Sequence, residues 1–144
     1  MNYVTNSLEE TQKIAGEIAE KVHDAHAVIA LNGDLGTGKT TFTQGFARAL
    51  GILDKIISPT FVVQRQHQIP GSEQVLYHID LYRLEEGLNI TQLGLNELFE
   101  DEKAIVLIEW ADKIREFLPP GTLYIEFKRI GENSREISLR KTTS

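Results

Sequence analysis

No cysteine occurs anywhere in the 144 residues, which removes disulfides, thiolate-bound metals and a cysteine nucleophile together. There is no excess of positive charge either: 15 Lys and Arg stand against 21 Asp and Glu, a net charge of −6. Gripping RNA or DNA unaided draws most of its affinity from neutralising phosphates. Nucleic acid is therefore expected to be met only through a partner that carries the positive surface. No apolar run approaches the roughly 20 residues that cross a bilayer, and Met1-Asn2-Tyr3-Val4-Thr5 has neither the basic nor the apolar segment of a leader. No membrane association and a cytoplasmic location are the expectations. What is present, 41% hydrophobic and 25% charged residues, is the composition of one globular domain spanning residues 1–144 with a sizeable core.

Against that plain background one string stands out. Gly33-Asp34-Leu35-Gly36-Thr37-Gly38-Lys39-Thr40 is a complete Walker A pattern, in which glycines let backbone N–H groups curl around a polyphosphate. In that pattern Lys39 reaches the outer phosphates and the Thr40 hydroxyl is placed for Mg²⁺. Its flanks suit the job. Ala27 to Leu31 is an apolar run of the kind that forms a buried parallel strand. Phe42, Phe46 and Leu50 recur at helical spacing behind it, with Gly51 placed to end the helix. Strand, glycine loop and helix N-terminus together make an anion site.

Elsewhere the chain reads as alternating elements without repeats or linkers. Ser7-Leu8-Glu9-Glu10 is a capping box that opens a helix with the apolar stripe Ile14, Ala15, Ile18, Ala19 and Val22. Residues 61–67 and 75–79 read as strands separated by the turn signal Pro70-Gly71-Ser72. A helical stretch with Leu93, Leu95, Leu98 and Phe99 follows, then the apolar strand Ala104 to Ile108. Two alternating segments, 123–130 and 135–140, read as a terminal hairpin. The expected fold is α/β: a P-loop NTPase-type domain whose mixed, mostly parallel sheet is flanked by helices and ends in a C-terminal β-hairpin.

Hydrolysis asks for more than a phosphate loop: a carboxylate for the metal shell and a group that orients the attacking water. Asp80 and Glu109 each end an apolar strand, and ligands of open α/β sheets bind at the carboxyl ends of strands. Ser58-Pro59-Thr60 is a third candidate, a threonine loop able to sense metal or γ-phosphate as switch loops do. His78 reads as a structural histidine, Trp110 as a core filler beside Glu109, and Arg83 as a surface arginine.

Taken together, Gly33 to Thr41, Ser58-Pro59-Thr60-Phe61, His78-Ile79-Asp80-Leu81-Tyr82-Arg83-Leu84 and Leu107-Ile108-Glu109-Trp110 resemble the TsaE family. That family comprises bacterial ATPases of tRNA threonylcarbamoyladenosine biosynthesis. The resemblance spans roughly residues 30–110. It implies a weak Mg²⁺-dependent ATPase whose partners are the TsaB and TsaD proteins. In such a set TsaD transfers threonylcarbamoyl to adenosine 37 of tRNAs reading codons that begin with A, and ATP hydrolysis resets the complex. On this resemblance Leu35, Gly36, Thr37, Gly38, Lys39, Thr40 and Thr41 bind the nucleotide, with Thr41 near the α-phosphate. Thr40 and Glu109 hold Mg²⁺. Lys39, Asp80 and Glu109 are the catalytic set, with Asp80 near the γ-phosphate, and Ser58, Pro59 and Thr60 form the switch-like loop. The adenine of such relatives lies near the N-terminal segment and the late hairpin, where no sharp motif stands here.

Three other readings stay open at this point. A small-molecule kinase uses the same loop but needs an acceptor-binding segment, for which the chain is short. A GTP-binding switch usually carries an N-K-x-D string, and none is present. An interaction module with a structural nucleotide needs neither Asp80 nor Glu109 for its task.

Overall fold

The computed structural model describes residues 1–33, 38–53, 64–82 and 94–142. Strand β1 (Asn2–Thr5) leads into helix α1 (Leu8–Val22), strand β2 (Ala27–Asn32) and helix α2 (Lys39–Ala49). Strands β3 (Gln64–Gln68) and β4 (Val75–Asp80), helix α3 (Leu95–Glu100) and strand β5 (Ala104–Glu109) follow. A 3₁₀ segment (Ala111–Phe117), bent at Ile114, precedes the hairpin strands β6 (Leu123–Arg129) and β7 (Arg135–Lys141).

All seven strands join one sheet in the order β1-β7-β6-β2-β5-β4-β3. Its middle, β6-β2-β5-β4, is parallel, and the outer pairings are antiparallel. The apolar runs noted in the sequence occupy that middle, where both faces are covered and continuous hydrophobicity is needed. On one face Ile29, Leu31, Leu107 and Ile125 pack with Ala15 and Ile18 of α1 and Phe42 and Phe46 of α2. On the other, Val28, Ala30, Val106 and Ile108 meet Leu95, Ala111, Ile114 and Tyr124. Each fully buried aliphatic or aromatic side chain contributes roughly 1.5–3 kcal/mol, so the central strands carry most of the burial.

The helix ends follow their signals. Ser7 Oγ accepts from the Glu10 N–H at 3.1 Å, while the Glu10 carboxylate accepts from the Asn6 N–H at 2.8 Å. The reciprocal bond of the capping box thus reaches one residue further back than the pattern expects. Helix α2 closes in a Schellman arrangement: Gly51, at φ 89°, donates to the Arg48 carbonyl, and Ile52 donates to that of Ala47.

Strand β1 carries no signal of its own in the sequence. Its pairing partner is β7, at the far end of the chain, with Tyr3 opposite Ile137, so a remote edge supplies the ladder. The strand expected over 61–67 is found from Gln64 onward; residues 61–63 lie outside the described ones, as does Leu93.

Helices α1 and α2 lie close enough that a Cβ on Gly45 would sit 2.8 Å from both Cα and Cβ of Gln12. Backbone is the obstacle there, so it cannot swing aside. Gly45→Ala is expected to lose about 1–2 kcal/mol, overpacking outweighing the gain in helix propensity. Urea unfolding of the two proteins checks it, and an alanine variant as stable as the natural chain contradicts the packing account.

Candidate functional site

Three strands end together beneath the start of α2. The register sets Asp80 opposite Glu109, Glu109 opposite Leu31 and Leu31 opposite Ile125, one row across four strands. Leu31 and Ile125 of that row pack with Phe42 and Phe46. Because partners in a row share a face, the Asp80 and Glu109 side chains are on the α2 side of the sheet. The sheet therefore brings together two carboxylates that stand 29 residues apart in the chain.

Lys39 opens α2 behind Gly38, whose φ of 106° is a conformation glycine adopts without strain. Its side chain is 5% exposed. The ammonium donates to the Gly33 carbonyl and sits 3.6 Å from the centroid of the Trp110 ring. This places a buried positive charge at the mouth of the Walker A segment, tying its first residue to its last turn. Thr40 is exposed at the first turn of α2, and Thr41 is half-buried. Leu35, Gly36, Thr37, Ser58, Pro59, Thr60 and Arg83 lie outside the described residues.

Trp110 packs against the core, as its reading as a core filler expects, and makes further contacts. It stands just past β5 at φ 61° and caps the 3₁₀ segment. Its N–H donates to the Leu31 carbonyl at 3.0 Å, which fastens it to the strand that feeds the loop. Its half-buried ring lies 5.0 Å from that of Tyr82 and carries Lys39 on its surface, a cation–π contact. Asp80 in turn accepts the Tyr82 N–H at 2.9 Å, so carboxylate, tyrosine, tryptophan and lysine form a connected chain. The one-dimensional signal for this is slight: an aromatic next to a strand-end acid is equally common in a plain core.

His78, read from the sequence as structural, lies inside the core. It is 1% exposed, and its Nε2 lies 2.6 Å from Oε2 of Glu109, itself 3% exposed. A strand's period of two, which puts His78 on the Asp80 face, was the available clue.

Behind the loop a second polar group holds the site's framework. Asn32 donates to the Tyr124 hydroxyl, Tyr124 donates to the Asp112 carboxylate, and the Asp112 N–H returns to Asn32 Oδ1 at 3.0 Å. This ring fastens the last residue of β2 to β6 and to the segment after Trp110. Burial first, then the bond donated to Asp112, push the Tyr124 phenol well above the usual tyrosine range. The folded protein holds that proton where the unfolded chain releases it near pH 10. Stability from this group is therefore complete below about pH 10 and falls as pH rises beyond it. Tyr124→Phe is expected to cost about 1–2 kcal/mol at neutral pH through the lost hydrogen bonds. The gap between the two proteins should narrow above about pH 10, measured by denaturant unfolding across the alkaline range; a constant gap contradicts it.

Beside Gly33 a cavity of about 320 Å³ opens between the end of β2 and the hairpin, walled by Asn32, Trp110, Phe127, Lys128 and Ser138. Asp112, Glu126 and Glu136 also border it, so its charge repels a phosphate tail while the Lys39 end attracts one.

Do these residues suit a nucleotide and a magnesium ion? The left-handed Gly38, the buried ammonium and a buried carboxylate on the neighbouring strand fit such a group. Among the described residues no three His, Cys, Asp or Glu side chains gather into an all-protein metal site. Magnesium is usually held by one or two carboxylates together with substrate phosphates. Among the described residues no helix is long and apolar enough to cross a membrane.

Fold and site define the class: an α/β protein of the P-loop type, its Walker A string bridging a central strand and the helix behind it. The family model described as threonylcarbamoyl adenosine biosynthesis protein TsaE matches residues 5–137, and the chain belongs to the TsaE family. The tRNA threonylcarbamoyladenosine biosynthesis protein TsaE of Bacillus subtilis is 41% identical over 138 residues, 96% of this chain and 84% of that protein. Its namesake from Haemophilus influenzae is 34% identical over 129 residues, 89% of this chain and 79% of that one. The crystal structure of YdiB from Bacillus subtilis superposes with a TM-score of 0.78 at 35% identity, covering this whole chain and 86% of that one.

Proposed function

We propose that the chain is a single-domain, weak Mg²⁺-dependent ATPase. On this reading it works in the cytoplasm with TsaB and TsaD to form threonylcarbamoyladenosine at position 37 of tRNAs reading codons that begin with A. The observation that carries the reading is the Lys39 ammonium, buried at the loop mouth and held by a carbonyl and a ring face. A phosphate oxygen offers that ammonium a charge-assisted hydrogen bond, stronger than one to a neutral carbonyl.

On this reading the roles are those that the family resemblance implies. Lys39 neutralises the outer phosphates, with Leu35, Gly36, Thr37, Gly38 and Thr41 supplying the remaining contacts to the tail. Thr40 and Glu109 would hold the metal, which would supply positive charge against the phosphates. Asp80 orients water for attack, and the Ser58-Pro59-Thr60 loop senses the terminal phosphate. The acidic-walled cavity beside Gly33 takes the uncharged end of the nucleotide, its size being within the usual range for small-ligand sites. The net charge of −6 suits a component that meets tRNA through its partners.

The deciding measurement is ATP turnover by the purified chain, alone and with purified TsaB and TsaD. Slow turnover alone and strong stimulation by the pair is the expected result. Turnover that ignores the pair but tracks phosphorylation of an added acceptor would instead identify a kinase.

A further inference from the structure

We propose that His78 is a positioning residue: it holds the Glu109 carboxylate so that one oxygen is turned toward the metal of the bound nucleotide. The inference rests on the nucleotide reading above and deepens it.

An ionised carboxylate only accepts hydrogen bonds, so in the 2.6 Å contact the ring nitrogen donates. The other ring nitrogen, Nδ1, is buried and has no hydrogen-bond partner among the described residues. A bare lone pair there is less costly than an orphaned N–H, which selects the form that carries its proton on Nε2. The ring is then a one-directional donor aimed at Oε2. His78 lies opposite Leu107, two residues before Glu109, so the bond draws the Glu109 side chain back along the sheet diagonal. Among the described residues Oε2 has that partner and Oε1 has no hydrogen bond.

Core filling does not explain the choice of histidine. Leu76 and Leu107, its neighbours on the same face, are fully buried aliphatics, and an aliphatic side chain would avoid burying polar nitrogens. Nor does a structural ion pair account for Glu109, whose carboxylate has one bond among the described residues where its oxygens offer about four acceptor positions. A carboxylate held at one oxygen and open at the other has the arrangement of a metal ligand with its outer support.

Three variants test this by calorimetric titration with ADP, without magnesium and across a magnesium series, after circular dichroism has verified folding. In His78→Leu the affinity for metal-free ADP should be unchanged. The magnesium concentration that gives half of the affinity gain should rise about 10–100-fold. His78→Gln places an amide N–H near the position of Nε2 and should stay within about threefold of the natural protein. If the leucine variant does not fold, His78→Asn takes its place, since its shorter amide falls short of Glu109. A leucine or asparagine variant with the natural magnesium dependence overturns the proposal, as does an equal loss in the glutamine variant. Glu109→Gln separates the two levels of argument. Should it retain the natural magnesium dependence, the metal role of Glu109 fails and the positioning role with it. Should it lose that dependence while His78→Leu keeps it, only the positioning role is lost.

Discussion

Lys39→Ala is expected to weaken nucleotide binding by about 10–100-fold, the largest effect of any single change on affinity in this protein. The ammonium is buried beside Gly33, where it donates to that residue's carbonyl and lies against the Trp110 ring. Hydrogen bonds to charged groups contribute roughly 1.5–3 kcal/mol, and each 1.4 kcal/mol is tenfold in affinity. Arginine is no remedy. Its planar fork cannot replace a compact ammonium between the Gly33 carbonyl and the Trp110 ring. Calorimetry with ADP gives the answer directly, and an unchanged dissociation constant would remove the premise on which the nucleotide reading stands.

Asp80→Ala is expected to do the reverse: nucleotide stays bound while hydrolysis slows by roughly 10²–10⁴-fold, the usual range for a lost proton-handling or orienting group. A group that acts in the transition state changes turnover more than affinity. Because Asp80 also accepts the Tyr82 N–H, alanine loosens the turn that sets Tyr82 against Trp110. Asp80→Asn keeps an acceptor at that place and removes the charge, so it separates support from chemistry. Both variants should be slow if the charge acts on water. A slow alanine variant beside an asparagine variant at full rate would show that Asp80 only braces the turn. Single-turnover hydrolysis with TsaB and TsaD present, alongside binding of a non-hydrolysable analogue, measures both quantities.

Much of this was legible in one dimension because it depends on local chemistry. The Walker A string, the helix ended by Gly51 and the capping box at Ser7 each need only a few neighbouring residues. The described ends of these elements accordingly lie where the spacing puts them. The places of Asp80 and Glu109 were legible for a related reason: an acid that closes an apolar run marks the end of a buried strand. The register then sets the two opposite each other.

Other features were hidden, each for a stated physical reason. β1 exists because β7 offers it an edge from the far end of the chain, and a four-residue segment carries too little pattern to announce that. Gly45 looks like a weak point in a helix until α1 lies against it. Trp110 and Lys39 are far apart in sequence and meet because a tryptophan at positive φ turns back toward β2, where its N–H finds Leu31.

The sequence by itself determined the Walker A string, most of the succession of strands and helices, and the two acids at strand ends, since these rest on residue type and short-range periodicity. Only the tertiary structure decided which acid has a histidine behind it, which ring lies under the lysine, and on which side of the sheet a cavity opens. Those outcomes depend on strand order and register. They are set by how the whole chain shares its hydrogen bonds and buries its apolar faces, and no local run of residues contains them.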